Sequence, residues 1–251
     1  MGSIKFQGIY KSFGDKHVLR GVDVTVKPGE VFFVIGQSGA GKSVLVKHLV
    51  GLLRPDRGRV YLDGVDVTDL SEKEFYPIRK RCAMVFQNST LFDSMTLLEN
   101  VMLPIRKHRP VSDEEAEAQA MEQLRKVGMQ DYANRHPADF GDGMRKKVAI
   151  ARALTLDPEY VIFDEPTTGI DPISAAMVDK LIRHLSDNLG VTSIVISHDL
   201  RSIFGIADRI AMLYKGKLVL DGTPDEFKNS EHPVVQQFIQ GRPDGPMEEP
   251  N

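Results

Sequence analysis

The run Val31-Phe-Phe-Val-Ile35 followed by Gly36-Gln37-Ser38-Gly39-Ala40-Gly41-Lys42-Ser43 constrains this chain more than any other stretch. Five successive apolar residues leave no polar face, the pattern of a strand buried on both sides of a parallel sheet. The next eight residues fit G-x-x-x-x-G-K-[ST] in full, and the apolar spacing from Val44 to Leu53 predicts a helix directly after them. Strand, glycine loop and helix in that order make a phosphate cradle. Glycines let consecutive backbone N–H groups converge on phosphate oxygens with no Cβ in the way. The opening helix adds the positive end of its dipole. Lys42 is expected to reach β- and γ-phosphates, and the Ser43 hydroxyl to ligate magnesium.

A chain of 251 residues is long enough to bury a substantial core as one large domain. Its net charge of −3 gives no electrostatic ground for nucleic-acid binding. The single cysteine, Cys82, rules out an internal disulfide and suits a reducing cytosol. The opening Met1-Gly-Ser-Ile-Lys-Phe-Gln7 lacks the apolar region of a secretory signal, and no stretch approaches the ~20 apolar residues of a membrane span. The expectation is a soluble protein, one that a membrane could still hold at its periphery.

Ile4 to Tyr10, Val22 to Val26 and Val60 to Leu62 read as strands separated by turns at Lys27-Pro28-Gly29, Asp56-Arg57-Gly58 and Asp63-Gly64. They predict an antiparallel sheet beside the phosphate loop. Phe13 falls in a loop upstream of that cradle. It could stack on adenine, where a base–aromatic stack contributes ~1–3 kcal/mol, or plug the loop from beneath. Arg81 to Phe86 reads as a buried strand ending at Gln87, and Ser89 to Pro104 as an unusually apolar connection. Ser112-Asp-Glu-Glu115 is a capping box, and the helix after it carries Ala116, Ala120, Leu124 and Val127 on one face before Gly128 ends it. Residues 88 to about 156 therefore read as a helical insert.

Tyr160-Val-Ile-Phe163 is a further buried strand, delivering Asp164 and Glu165 at its carboxyl end, where open α/β sheets bind ligands. Side chains alternate along a strand, so the two carboxylates face different ways. One can hold a magnesium shell and the other polarise a water for attack on the γ-phosphate; an acidic strand end capping the next helix is the plainer alternative. Ser193 to Ser197 ends in His198, either a γ-phosphate contact or a structural hydrogen bonder. Ile210 to Tyr214 and Lys217 to Leu220 read as a hairpin, Asp225 to Asn229 and Val234 to Gln240 as short helices. The polar, Pro/Gly-rich residues from Gly241 read as a flexible tail.

The ordered set Phe13, Gly36 to Ser43, Gln87, Tyr160 to Pro166, Gly169-Ile-Asp171 and Ser197-His198 resembles the ATP-binding subunit of ABC transporters from residue 4 to about 229. The resemblance implies an α/β fold of the P-loop NTPase, RecA-like type: a mostly parallel sheet core with an antiparallel β subdomain and a helical subdomain. It implies one ATP-binding domain over residues 1–240, using ATP and Mg2+ to power a membrane permease. In that family Phe13 stacks on adenine and Gly36, Gln37, Ser38, Gly39, Ala40, Gly41, Lys42, Ser43 and Val44 hold the phosphates. Gln87 touches magnesium and senses the permease, with Ser43 and Asp164 also at the metal. Glu165 is the general base and His198 the γ-phosphate switch. Asp171 belongs to the loop that meets a second protomer, so a homodimer is implied, peripheral on the cytoplasmic side of the inner membrane.

Phe86 to Pro104, Met144 and the tail Gln237 to Pro246 are further similar to the ATPases of bacterial phospholipid-trafficking transporters. Those systems work with MCE-domain proteins and small accessory subunits and maintain outer-membrane lipid asymmetry. One departure stands out. The family's L-S-G-G-[QM] signature, which lids ATP bound by the opposite protomer, reads Phe140-Gly141-Asp142-Gly143-Met144 here. Gly141 and Gly143 still offer N–H groups, and Asp142 is expected to cap the helix Arg145 to Leu154 while facing away. Slow turnover, or completion of the site by the permease, is the expectation. A soluble non-transport ABC ATPase and an ATP-gated module with little hydrolysis are the competing readings. Leu91 to Leu103 could floor a groove for a permease helix, or be core.

Overall fold

Alternation in the first strand breaks at Gly8, and the break keeps its apolar residues on one face. In the computed structural model, which describes residues 2–247, β1 (Ile4–Phe13) pairs antiparallel with β2 (Lys16–Val26). The register shifts between Phe6 and Ile9, where Gly8 takes φ 58° and donates its N–H to Asp23 Oδ1 at 2.9 Å. The extra residue of this bulge returns Ile9 to the inner face beside Ile4 and Phe6, all three buried. Next come β3 (Val31–Ile35), helix α1 (Lys42–Lys47), β4 (Arg57–Leu62), β5 (Val65–Asp66) and helix α2 (Glu72–Arg81). The antiparallel sheet expected from the alternating segments has the order β2-β1-β4-β5.

The chain then runs through β6 (Cys82–Val85), α3 (Leu97–His108), α4 (Asp113–Lys126), α5 (Asp142–Ala153), β7 (Tyr160–Asp164), α6 (Pro172–Leu189) and β8 (Thr192–Ile196). It closes with α7 (Leu200–Ile206), β9 (Arg209–Tyr214), β10 (Lys217–Gly222), α8 (Pro224–Lys228) and α9 (Pro233–Gln240). Two compact units result: Met1–Tyr76 with Ile194–Asn251, and Pro77–Ser193. The second is wider than a helical insert over 88–156, because it also holds β6, β7 and α6.

In the first unit the order β10-β9-β3-β8 places the wholly buried β3 between two strands, and β3 runs parallel to β9 with Phe33 opposite Ile210. The helix after the glycine loop is shorter than its apolar spacing predicts. It stops at Lys47, and His48 and Leu49 turn to i−3 bonds with Leu45 and Val46 at 3.3 and 3.1 Å. Gly51 holds φ 68°, and a Cβ there would lie 2.6 Å from the Phe75 ring, so the chain must turn away here. Leu49 and Val50 are buried through that turn rather than on a helix.

His48 is 2% exposed, its Nδ1 3.2 Å from the Leu45 carbonyl and its Nε2 buried with no partner among the described groups. Burial, ahead of the nearby Lys11 charge, lowers its pKa below 6.5. The unfolded chain therefore binds a proton that the folded one refuses. Stability is full above pH 6.5 and falls as pH drops toward the lowered folded value. Urea midpoints measured from pH 7 to 5 should decline less steeply in His48→Gln than in the wild type; equal slopes would contradict this assignment.

In the second unit β6 runs parallel to β7, with Val85 opposite Phe163. The strand expected over Arg81 to Phe86 is narrower, since Arg81 ends α2 and forks onto Glu159 at 2.6 and 2.8 Å. The apolar connection is largely helix. Thr96 Oγ1 accepts the Glu99 N–H at 3.2 Å and Glu99 Oε2 accepts the Thr96 N–H at 2.7 Å, a reciprocal cap that starts α3. Leu97, Val101 and Ile105 of α3 join Ala116, Ala120 and Leu124 of α4 and Val148 and Ala151 of α5 in one buried cluster. Within Leu91 to Leu103 the core thus takes Leu97, Leu98, Val101 and Met102, while Leu91 and Met95 are half-buried and Phe92 keeps 49% of its surface exposed. The box at Ser112 and Glu115 starts α4 as expected, and Gly128 follows it at φ 69°. Among the described residues no helix is long and apolar enough to cross a membrane.

Candidate functional site

In the first unit the loop from Gly36 to Ser43 joins buried β3 to α1, as the motif requires. Gly36 holds φ 140°, and a Cβ would meet the Leu213 carbonyl oxygen at 2.2 Å; at Gly41, with φ 102°, it would meet Leu19 Cδ2 at 2.6 Å. At Gly36 a side chain would run into backbone, and at Gly41 it would strain the left-handed φ and displace Leu19. Lys42 is 8% exposed, and its Nζ donates to the carbonyls of Gly36 at 2.8 Å and Gln37 at 2.9 Å. The ammonium is therefore held over the loop by the loop's own backbone. Ser38 and Gly39 are exposed, Ala40 is buried, and Ser43 and Val44 are half-buried at the helix start.

Phe13 is not in a loop. It ends β1, paired with Lys16 across the two-residue turn, with 48% of its surface exposed and Lys11 Nζ 5.5 Å from its ring centre. An exposed ring at a strand end is no plug, and it offers a face for stacking. His198 is exposed, directly after buried Ser197, whose Oγ accepts the Asp199 N–H at 3.0 Å as α7 begins.

In the second unit β7 ends at half-buried Asp164. Glu165 then takes φ 52°, a left-handed conformation that a side chain adopts at a cost of ~1–3 kcal/mol. Thr168 Oγ1 donates to Glu165 Oε2 at 2.9 Å and Lys146 Nζ to the Glu165 carbonyl at 3.3 Å, which fixes both ends of the residue. Lys146, on α5, is 1% exposed; its ammonium also donates to the carbonyl of Phe86 at 3.4 Å and to that of Gln87. Burial lowers its pKa, against the pull of Asp142, Asp164 and Glu165. One buried cation thus ties the strand end at Gln87 and the carboxylate strand end to the helix that starts at the altered signature. Sequence reasoning passed over Lys146 and Thr168. The cue for Lys146 was a lysine three and four residues before apolar Ala149 and Ile150, on their side of the helix, where burial demands partners.

The signature differs from its expectation in one respect. Asp142 is not the cap: Gly141 holds that position, α5 begins at Asp142, and Asp142 Oδ1 accepts from Arg145 at 2.6 Å in an exposed pair. Nothing lies within 4 Å of a Cβ at Gly141, whereas one at Gly143 would lie 2.6 Å from Ser174 Oγ. Gly143 is therefore fixed by packing against α6. Asp171 caps that helix, its Oδ1 accepting the N–H groups of Ile173 and Ser174, both at 2.9 Å. A hydrogen bond from the Ser174 hydroxyl, followed by the Ser174 and Ile173 N–H groups, holds its carboxyl below the usual range.

The family model described as "ABC transporter" matches residues 19–168. The chain is 38% identical over 245 residues to a probable ribonucleotide transport ATP-binding protein, mkl, of Mycobacterium tuberculosis, covering 98% of this chain and 68% of that protein. It is 37% identical over 234 residues to the intermembrane phospholipid transport system ATP-binding protein MlaF of Haemophilus influenzae, covering 93% and 89%. A dimeric ATP-binding cassette solved in a post-hydrolysis state with ADP and Pi superposes with a TM-score of 0.81 at 31% identity, over 88% of this chain and 98% of that one. The chain belongs to the ABC transporter family, as an ATP-hydrolysing cassette related to the MlaF phospholipid-transport ATPases.

Proposed function

We propose that this cassette works as a homodimer on an integral membrane permease, peripheral to the inner membrane, and that the transported substrate is a phospholipid. The lipid reading is supported by the MlaF relative, of which the chain spans 89% against 68% of mkl. MCE-domain and small accessory subunits belong to the same reading. The observation that carries the catalytic reading is the strained, doubly anchored Glu165 at the end of a buried strand.

The roles follow from chemistry. Phe13 offers its exposed face to adenine. The N–H groups of the Gly36 to Ser43 loop and the Lys42 ammonium bind the β- and γ-phosphates, replacing their hydration with fixed donors. The hydroxyl of Ser43, the Asp164 carboxylate and the Gln87 amide are oxygen donors of the hard kind that suits magnesium. When bound, that ion neutralises charge on the β- and γ-oxygens. Glu165 takes the proton of the attacking water, and His198 contacts the γ-phosphate. The Gly141 and Gly143 N–H groups and the Asp171 loop serve the nucleotide of the second protomer.

Three results test this reading. Purified with its permease, the protein should release phosphate from ATP, and lipid should move only while it does so. Gly141→Ser with Asp142→Gly should raise turnover, since open space surrounds Gly141 and a neutral donor replaces a carboxylate. A charged-acceptor hydrogen bond of ~1.5–3 kcal/mol corresponds to about tenfold or more; no change or a fall would contradict the role given to the signature. Half-buried Met95, beside exposed Phe92, marks the surface for the permease. Met95→Glu should leave nucleotide binding intact and sever transport from hydrolysis, and unaltered transport would remove this segment from the permease contact.

A further inference from the structure

The residues after α9 are Gly241-Arg-Pro-Asp-Gly-Pro-Met247, a composition that reads as flexible. They are instead laid down in order. Gly241 ends α9 at φ 60°, and the Arg242 N–H bonds back to the Gln237 carbonyl at 3.1 Å. Gln237, 7% exposed, then holds the segment from both ends of its amide. Its Nε2 donates to the carbonyls of Arg242 and Pro243 at 3.3 and 3.4 Å, and its Oε1 accepts the buried Met247 N–H at 2.7 Å. Gly245 takes φ 146° directly over that amide, where a Cβ would lie 2.7 Å from Gln237 Cδ and Oε1. The Met247 side chain is buried at 6%. Two prolines reduce the freedom that the segment loses on docking.

The strap ends on the phosphate loop. Gln37 Nε2 donates to the Met247 carbonyl at 2.6 Å, and the Tyr214 hydroxyl at the end of β9 donates to the Pro246 carbonyl. Gln37 is also the residue whose carbonyl accepts Lys42 Nζ at 2.9 Å. A continuous path of bonds thus runs from Gln237 through Met247 and the Gln37 side chain to the backbone that seats the phosphate-binding lysine.

We propose that residues 242–247 are a working part of the nucleotide site, with Gln37 and Gln237 as positioning residues that hold the phosphate loop in its binding shape. The proposal rests on the assignment of that loop as the ATP cradle. The strap fixes the second residue of the loop, so undocking it frees the Gln37 side chain and the carbonyl under Lys42. Coupling of this kind is reciprocal: nucleotide on the loop must also tighten the strap.

The test uses the full chain and a fluorescent ATP analogue. Gly245→Val unseats the strap without altering a hydrogen-bonding group. It should weaken nucleotide binding about three- to tenfold, the range that one neutral hydrogen bond converts to. Gln37→Ala should do the same, and combining the two should cost no more than either alone. A strap that merely stabilises the fold would instead lower the melting temperature of Gly245→Val while leaving affinity unchanged, or the two effects would add; either result overturns the proposal. Gln237→Leu, read in the same way, covers the case in which Gly245→Val does not fold. In the wild type, saturating ATP should slow hydrogen exchange at the Met247 amide, and an unchanged rate also counts against it. Lys42→Ala separates the two claims: if it binds nucleotide like the wild type, the cradle assignment itself has failed.

Discussion

Glu165→Gln is expected to slow ATP hydrolysis about 10²- to 10⁴-fold while ATP still binds. The range is what a positioned general base contributes to a proton transfer. Glutamine keeps the length and shape of the side chain, and its amide oxygen can still accept the Thr168 hydroxyl that Glu165 Oε2 accepts at 2.9 Å. The left-handed backbone at φ 52° and its bond from Lys146 Nζ are untouched. Only the basicity is lost. Single-turnover phosphate release, measured beside equilibrium ATP binding, separates the two effects. Turnover within threefold of wild type would mean that another group takes the proton; a parallel loss of binding would mean that Glu165 is structural.

Lys146→Met should lower turnover by at least tenfold and destabilise the fold by about 1–3 kcal/mol. Methionine fills nearly the same volume, so packing changes little. The carbonyls of Phe86 and Gln87 lose a charged donor, and leaving a buried acceptor unmade costs of that order. The gain from no longer burying a cation offsets part of the loss. What methionine cannot supply is the bond to the Glu165 carbonyl, one of two anchors of a strained residue. The turnover loss should therefore exceed what the lower stability explains at temperatures where the variant is fully folded. There is also a pH signature. Burial lowers the Lys146 pKa from 10.5, so just below that pH the unfolded chain holds more protons and wild-type stability rises with pH. The variant should lack that rise.

Much of this molecule is written in local pattern. The buried strands at Val31 and Tyr160 are legible because runs of five and four apolar residues fit no half-exposed element, and the strands occupy Val31–Ile35 and Tyr160–Asp164. The phosphate loop is legible because its glycines answer a backbone need that Gly36 and Gly41 show directly. Other features escaped for definite reasons. Helix α3 hid because Leu97, Val101 and Ile105 share a segment with apolar residues on other faces, although the pair Thr96 and Glu99 had the spacing of a capping box. The helix after the phosphate loop read too long because Leu49 and Val50 are buried by a turn, and burial alone carries no period. Lys146 acts on carbonyls 60 and 59 residues away, whose positions only the fold supplies, and Gln237 on carbonyls five and six residues ahead, which come within reach only because the chain turns back after α9. The tail from Gly241 illustrates the limit: composition reports low apolar content, but Gln237 holds residues 242–247 with hydrogen bonds, which composition does not record.

The central claim is that ATP, held on Gly36 to Ser43, draws two copies of this chain together and is hydrolysed there. Sedimentation of Glu165→Gln in ATP, in ADP and without nucleotide tests it most directly. The account predicts a species of twice the chain mass in ATP alone, and its loss when Lys42→Ala is added. A single-chain species in all three conditions, with the permease supplied, would contradict it.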